Sequence, residues 1–101
     1  MVAVPVTMYD RHRRLVLQAR TMDLSTTGAL LHGSVPLPIG ETVHVEMGRG
    51  EARNPLRLDA EVVRITEPKA RRRHHGVAVR FTNISDLDAT LIDSIIAQAR
   101  A

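Results

Sequence analysis

The residues best arranged to do chemistry lie in one short stretch, Asp23-Leu24-Ser25-Thr26-Thr27-Gly28. A carboxylate there accepts hydrogen bonds from ligand N–H groups, and a hydroxyl both donates and accepts. The same residue types also form self-bonded turns between strands, so the stretch by itself allows a binding reading and a purely structural one. Asp23, Ser25 and His32 make a conceivable hydrolytic set. No glycine-flanked strand-to-helix elbow surrounds the serine, however, and neither paired catalytic carboxylates nor a phosphate-cradling glycine loop occurs elsewhere. The sequence therefore reads as a non-enzyme. Metal binding is not expected either. His74 and His75 are adjacent and point to opposite sides of an extended chain, while His12, His32 and His44 lack a partner at ligand spacing. With no cysteine there is no disulfide and no thiolate site, and no cofactor is called for.

Positive charge is the second candidate. Of the 14 Lys and Arg residues only Lys69 is lysine. Arginine presents a planar fork that matches phosphates and the edge of guanine, whereas lysine acts as a point charge. The densest run is Lys69-Ala70-Arg71-Arg72-Arg73-His74-His75, and Arg11, Arg13 and Arg14 form a second group. Both are candidate anion contacts whose binding would weaken steeply with salt, and both are also ordinary solvated loops. Nucleic acid is not the expected partner: the net charge is only +3, and Tyr9 and Phe81 are the sole aromatic residues on which bases could stack.

These residues must be positioned by a small scaffold. The chain has 101 residues, enough for one domain, 1–101. Val2, Val4, Val6 and Met8 alternate with Ala3, Pro5 and Thr7, a half-buried strand, and Pro5 suggests an edge or a bulge nearby. Tyr9 to Arg13 reads as a hairpin loop. Leu15, Leu17 and Ala19 set the inward phase of a second strand, the polar turn Asp23 to Gly28 follows, and Ala29 to Leu31 is a short third strand. Gly33 to Gly40 is a proline-bearing loop. Val43, Val45 and Met47 make a fourth strand, with a turn from Gly48 to Pro55. Leu56 to Ile65 is a long strand whose apolar phase switches at Val62-Val63, the sign of a bulge that lets a sheet curl closed. After the basic loop, Gly76 to Thr82 is the last strand.

From residue 86 to 99 the period becomes helical, with Leu87, Leu91, Ile92, Ile95, Ile96 and Ala99 on one stripe. Ser85 and Asp88 have the spacing of a capping box. The expected fold is mainly β: a small six-stranded antiparallel barrel, about 2–82, with a C-terminal helix. The first residues lack signal-peptide order, and no apolar run approaches the roughly 20 residues of a membrane span. The expected location is the cytoplasm.

On the motif Asp23-x-Ser25-x-x-Gly28, set between the second and third strands, the sequence resembles the PilZ domain family. Pro36-Leu37-Pro38-Ile39-Gly40, Ala60-Glu61-Val62-Val63-Arg64-Ile65 and Gly76-Val77-Ala78-Val79-Arg80-Phe81 follow in family order, so the resemblance covers nearly the whole chain. It implies a receptor for cyclic di-GMP in bacterial second-messenger signalling, with a partner in motility, envelope or signalling machinery. It further implies that Asp23 accepts from guanine N–H groups, that Ser25 adds a hydroxyl or steadies the turn, and that Gly28 supplies a backbone conformation closed to residues with a Cβ.

The sequence departs from the family at one point. Binding members carry Arg-x-x-x-Arg ahead of the first strand, and here the strand begins at Val2. Arg11, Arg13 and Arg14 follow that strand at other spacings, and Arg49/Arg53 and Arg53/Arg57 have the spacing but lie far downstream. Each hydrogen bond to a charged group contributes about 1.5–3 kcal/mol, against about 8 kcal/mol for a whole micromolar affinity. Hence Arg11 to Arg14 or Arg71 to Arg73 compensates, or a partner supplies the cations, or the domain is an adaptor that no longer binds the nucleotide.

Overall fold

In a computed structural model that describes residues 3–48, 54–66 and 75–100, the chain forms six strands and one helix. The strands are β1 (Pro5–Tyr9), β2 (Leu15–Leu24), β3 (Gly28–His32), β4 (Thr42–Met47), β5 (Leu56–Thr66) and β6 (Gly76–Thr82), and the helix is α1 (Asp86–Arg100). All pairings are antiparallel and the sheet closes in the order β1-β2-β3-β6-β5-β4. The mainly-β barrel with a C-terminal helix expected from the periodicity is the observed architecture.

Alternation sends one face of each strand inward. Val6 and Met8, Val43, Val45 and Met47, Leu56, Leu58, Ala60 and Val62, and Val77, Val79 and Phe81 are all buried in one apolar cluster. Buried aliphatic carbon is the main stabilising contribution here, at about 25 cal/mol per Å² removed from water. The phase switch in β5 is a bulge: Val62 pairs with Val79 and Arg64 with Ala78, so Val63 is the extra residue and faces solvent. Beyond it the odd-numbered Ile65 turns toward the core, opposite Val77.

The sequence expectations need correcting in four places. Pro5 lies on no edge, because the barrel is closed; it is the first residue of β1, the other position a strand grants to proline. In β2, Met8 pairs with Leu17 and Tyr9 with Leu15, which makes Val16 an extra residue. Leu15 is thereby turned out to 55% exposure instead of continuing the inward phase of Leu17. β2 also runs on through Leu24, so Asp23 and Leu24 belong to a strand end rather than to the turn. The helical stripe is buried only in its middle, at Ile92 and Ile95, which join the barrel core, while Leu91 and Ile96 are half-buried. Leu87, one turn before that contact, is 66% exposed.

The start of α1 is built as its sequence requires. Asp88 N–H donates to Ser85 Oγ at 3.0 Å, and Ser85 N–H donates to Asp88 Oδ2 at 3.1 Å, a reciprocal cap that satisfies otherwise unpaired donors. Thr21, a polar residue only 1% exposed, is accommodated by the residue just before β1: Val4 N–H donates to its Oγ1, and Thr21 N–H donates to the Val4 carbonyl.

Candidate functional site

The corner between β2 and β3 owes its geometry to one extra residue. Thr21 pairs with Leu31 and Asp23 with Leu30, so Met22 is a bulge. Side chains in a strand alternate sides, and an uninterrupted β2 would point Asp23 inward with Thr21. The bulge inverts the phase: Leu24 is buried and Asp23 is exposed on the outer wall. Asp23 Oδ1 accepts from Leu24 N–H at 2.9 Å, which orients the carboxylate. Its second oxygen has no partner among the described residues.

Ser25 organises the corner itself. Its N–H donates to the Gly28 carbonyl at 3.0 Å, and its Oγ accepts from Thr27 N–H at 3.3 Å. The same hydroxyl lies 3.0 Å from Thr27 Oγ1 and donates to the Gly28 carbonyl at 3.4 Å. Thr27 in turn accepts from Phe81 N–H through its carbonyl at 2.9 Å, tying the corner to β6. These hydrogen bonds steady the turn. Gly28 is needed for a different reason from the one anticipated. Its φ is not positive; instead a Cβ would run into the Val79 carbonyl oxygen, so the close approach of β6 requires glycine.

Along the outer wall beside this corner is an open depression of about 300 Å³. Asp23 and Ser25 stand on one side, Leu30 and Ala78 form its apolar floor, and Arg80 stands on β6 directly opposite Gly28 in the register. Arg80 was not among the sequence candidates. Its outward phase between Val79 and Phe81 was legible, but its place beside Gly28 depends on a pairing between strands some fifty residues apart.

The sequence-derived cations are placed elsewhere. Arg11, Arg13 and Arg14 occupy the β1–β2 hairpin, at the far end of a ten-residue strand from the corner, a span of roughly 30 Å at about 3.3 Å per residue. Arg11 pairs with Glu41 at 3.6 Å, and Arg13 adopts a left-handed φ of 63°. Asp10 holds that hairpin, its Oδ1 accepting from Arg14 N–H at 2.9 Å and His12 N–H at 2.8 Å. The Arg14 N–H above all, then the His12 N–H, holds the Asp10 carboxyl below the usual aspartate range. Arg71, Arg72 and Arg73 lie outside the described residues, as do Lys69 and His74.

Within the conceivable hydrolytic set, Ser25, bonded to Gly28, and His32 do not meet. His32 ends β3, four residues beyond Gly28, or about 13 Å along the strand. His44 instead pairs with Asp59 across β4 and β5 at 2.7 Å. Among the described residues no group of three or more His, Asp or Glu side chains is placed to hold a metal ion. No helix among them is long and apolar enough to cross a membrane.

Comparison with known proteins identifies the fold. The family model for the PilZ domain matches residues 2–98. Among solved structures, the chain is similar to the PilZ domain with c-di-GMP of YcgR from Escherichia coli, with a TM-score of 0.75 and 17% identity, over 97% of this chain and 82% of that one. It is also similar to the Bacillus subtilis inhibitor of motility MotI/DgrA, with a TM-score of 0.73 and 12% identity, over 97% of this chain and 46% of that one. The chain thus spans less than half of the latter's length. No curated protein sequence matches it. At these identities the structural likeness is one of fold.

Proposed function

Because the chain belongs to the PilZ domain family, we propose that it is a regulatory domain of cyclic di-GMP signalling that takes the nucleotide at the Asp23–Gly28 corner. One observation carries the reading. The carboxylate of Asp23 is turned outward by the Met22 bulge, held by a single main-chain N–H, and left with a second oxygen facing solvent beside an apolar-floored depression. Guanine offers donors to such an acceptor, and a carboxylate accepts from two N–H groups at once. Ser25 and Gly28 hold that frame rigid. In this reading the domain catalyses nothing, needs no resident cofactor, and works in the cytoplasm by passing nucleotide occupancy to a motility, envelope or signalling protein.

Calorimetric titration of the folded protein with cyclic di-GMP at low salt tests the proposal. Saturable heat, lost in Asp23→Ala while the melting temperature stays within about 2 °C of wild type, supports it. No heat up to high micromolar nucleotide overturns it for this chain.

A second reading is favoured by the position of Arg11, Arg13 and Arg14, which cannot share one ligand with Asp23 across the length of β2. It makes the domain a protein-interaction adaptor that keeps the barrel without the nucleotide. Partner capture from the native host that is unaffected by added cyclic di-GMP and by Asp23→Ala would favour the adaptor; capture only with nucleotide would exclude it.

A further inference from the structure

We infer that Arg80 is the barrel's own guanine-reading cation, kept in place by Glu61 until the nucleotide displaces that carboxylate. The inference rests on the cyclic di-GMP reading above and deepens it. Sheet register places Gly28, Arg80 and Glu61 side by side on β3, β6 and β5. All three positions share the outer phase, so the side chain of Arg80 emerges next to a residue that has none. Arg80 lines the same depression as Asp23 and Ser25.

The depression therefore has an acceptor wall and a donor wall over a floor of Leu30 and Ala78. Asp23 pairs with Leu30 and Arg80 with Gly28, so the two residues stand two strand spacings across and two positions along from each other. That is roughly 12 Å between Cα atoms, which leaves room for one planar base between their side chains. Guanine is the base that fits such walls: its N1–H and N2–H₂ edge donates, while O6 and N7 on the adjoining edge accept an arginine fork. Asp23 would take the first edge and Arg80 the second, with the ring resting on the apolar floor.

Arg80 is available for this. Its Nη2 reaches Glu61 Oε1 at 3.4 Å, a long single contact, with the two side chains 58% and 37% exposed. Exposed pairs of that kind are weak, so exchanging the carboxylate for a bidentate guanine edge costs little. The same contact keeps the guanidinium over β5–β6 in the free protein. Arg64, in register with Ala78 and exposed, adds positive potential beside the floor.

The test is binding of cyclic di-GMP and of its 7-deazaguanine analogue, which lacks the N7 acceptor, to wild type, Arg80→Ala, Glu61→Gln and Asp23→Ala. Wild type is expected to bind the analogue several-fold more weakly, and Arg80→Ala to bind cyclic di-GMP at least tenfold more weakly while treating the two ligands alike. Glu61→Gln, which frees the guanidinium, is expected to bind two- to fivefold more tightly. If wild type binds and Asp23→Ala does not, but Arg80→Ala stays within twofold of wild type or wild type fails to distinguish the ligands, the role of Arg80 is refuted while the nucleotide reading stands. If wild type binds neither ligand, the nucleotide reading itself falls and takes this inference with it. Arg80 is exposed and makes one weak contact, so circular dichroism and melting of Arg80→Ala are expected to match wild type.

Discussion

Gly28→Ala isolates the claim that β3 and β6 approach too closely at the corner for any side chain. A Cβ on the observed backbone meets the Val79 carbonyl oxygen, a main-chain atom that cannot rotate away. The strands must separate locally, and overpacking of this kind costs about 1–3 kcal/mol. Separation also stretches the adjoining bond from Phe81 N–H to the Thr27 carbonyl, now 2.9 Å, which contributes about 0.5–1.5 kcal/mol. Against this, alanine loses less unfolded-chain entropy than glycine, an offset of about 0.4–1 kcal/mol. The net expectation is a destabilisation of about 2 kcal/mol, or a fall in melting temperature of about 8–16 °C for a domain of this size. Urea denaturation followed by circular dichroism reads it directly, with an unchanged slope as the check that both proteins unfold alike. Gly48→Ala is the control: its φ is not positive and the nearest atom to a new Cβ would be Pro5 Cγ at an ordinary 3.6 Å, so stability should move by less than about 0.5 kcal/mol. A Gly28→Ala protein as stable as wild type would refute the close-approach argument.

Two further outcomes follow from the packing and the hairpin. Ile92 is fully buried where α1 meets the barrel core, so Ile92→Ala should cost about 2–5 kcal/mol in urea denaturation; a loss under 1 kcal/mol would mean the helix is only loosely attached. The folded-state pKa of Asp10 is depressed, so the hairpin contribution is fully present above the ordinary aspartate pKa and is lost as pH falls through the lower folded value. An NMR titration of the Asp10 carboxyl should place its midpoint below that of a free aspartate, and Asp10→Asn should remove this part of the acid dependence of stability.

How much of this was readable from the chain depended on how local the determinant was. Six strands, their inward faces apart from Leu15 in β2, and the capped helix were legible because alternation and helical period act over a few residues. The bulge at Val63 was legible too, since two adjacent valines break an otherwise regular alternation. The bulge at Met22 was not. Thr21 is polar yet buried, paired to Val4 seventeen residues away, and its neighbours gave no clear phase to break. The motif at the corner could be named from residue types, but the reason for its glycine lay in β6, a partner strand far along the chain. Arg80 escaped notice for the same reason: strand register is a long-range property. The helical stripe was overread because a periodic pattern does not tell how many of its turns the barrel end can reach.

Closure of the barrel has a consequence for communication with other molecules. An open sheet can accept an incoming segment as one more strand, satisfying its exposed main-chain groups in the process. Here each strand has a neighbour on both sides over part of its length, so among the described residues that route is confined to the stretches paired on one side only, 15–20 of β2 and 63–66 of β5. Elsewhere around the barrel a partner would have to grip side chains on the outer wall, the connecting loops or the exposed turns of the helix.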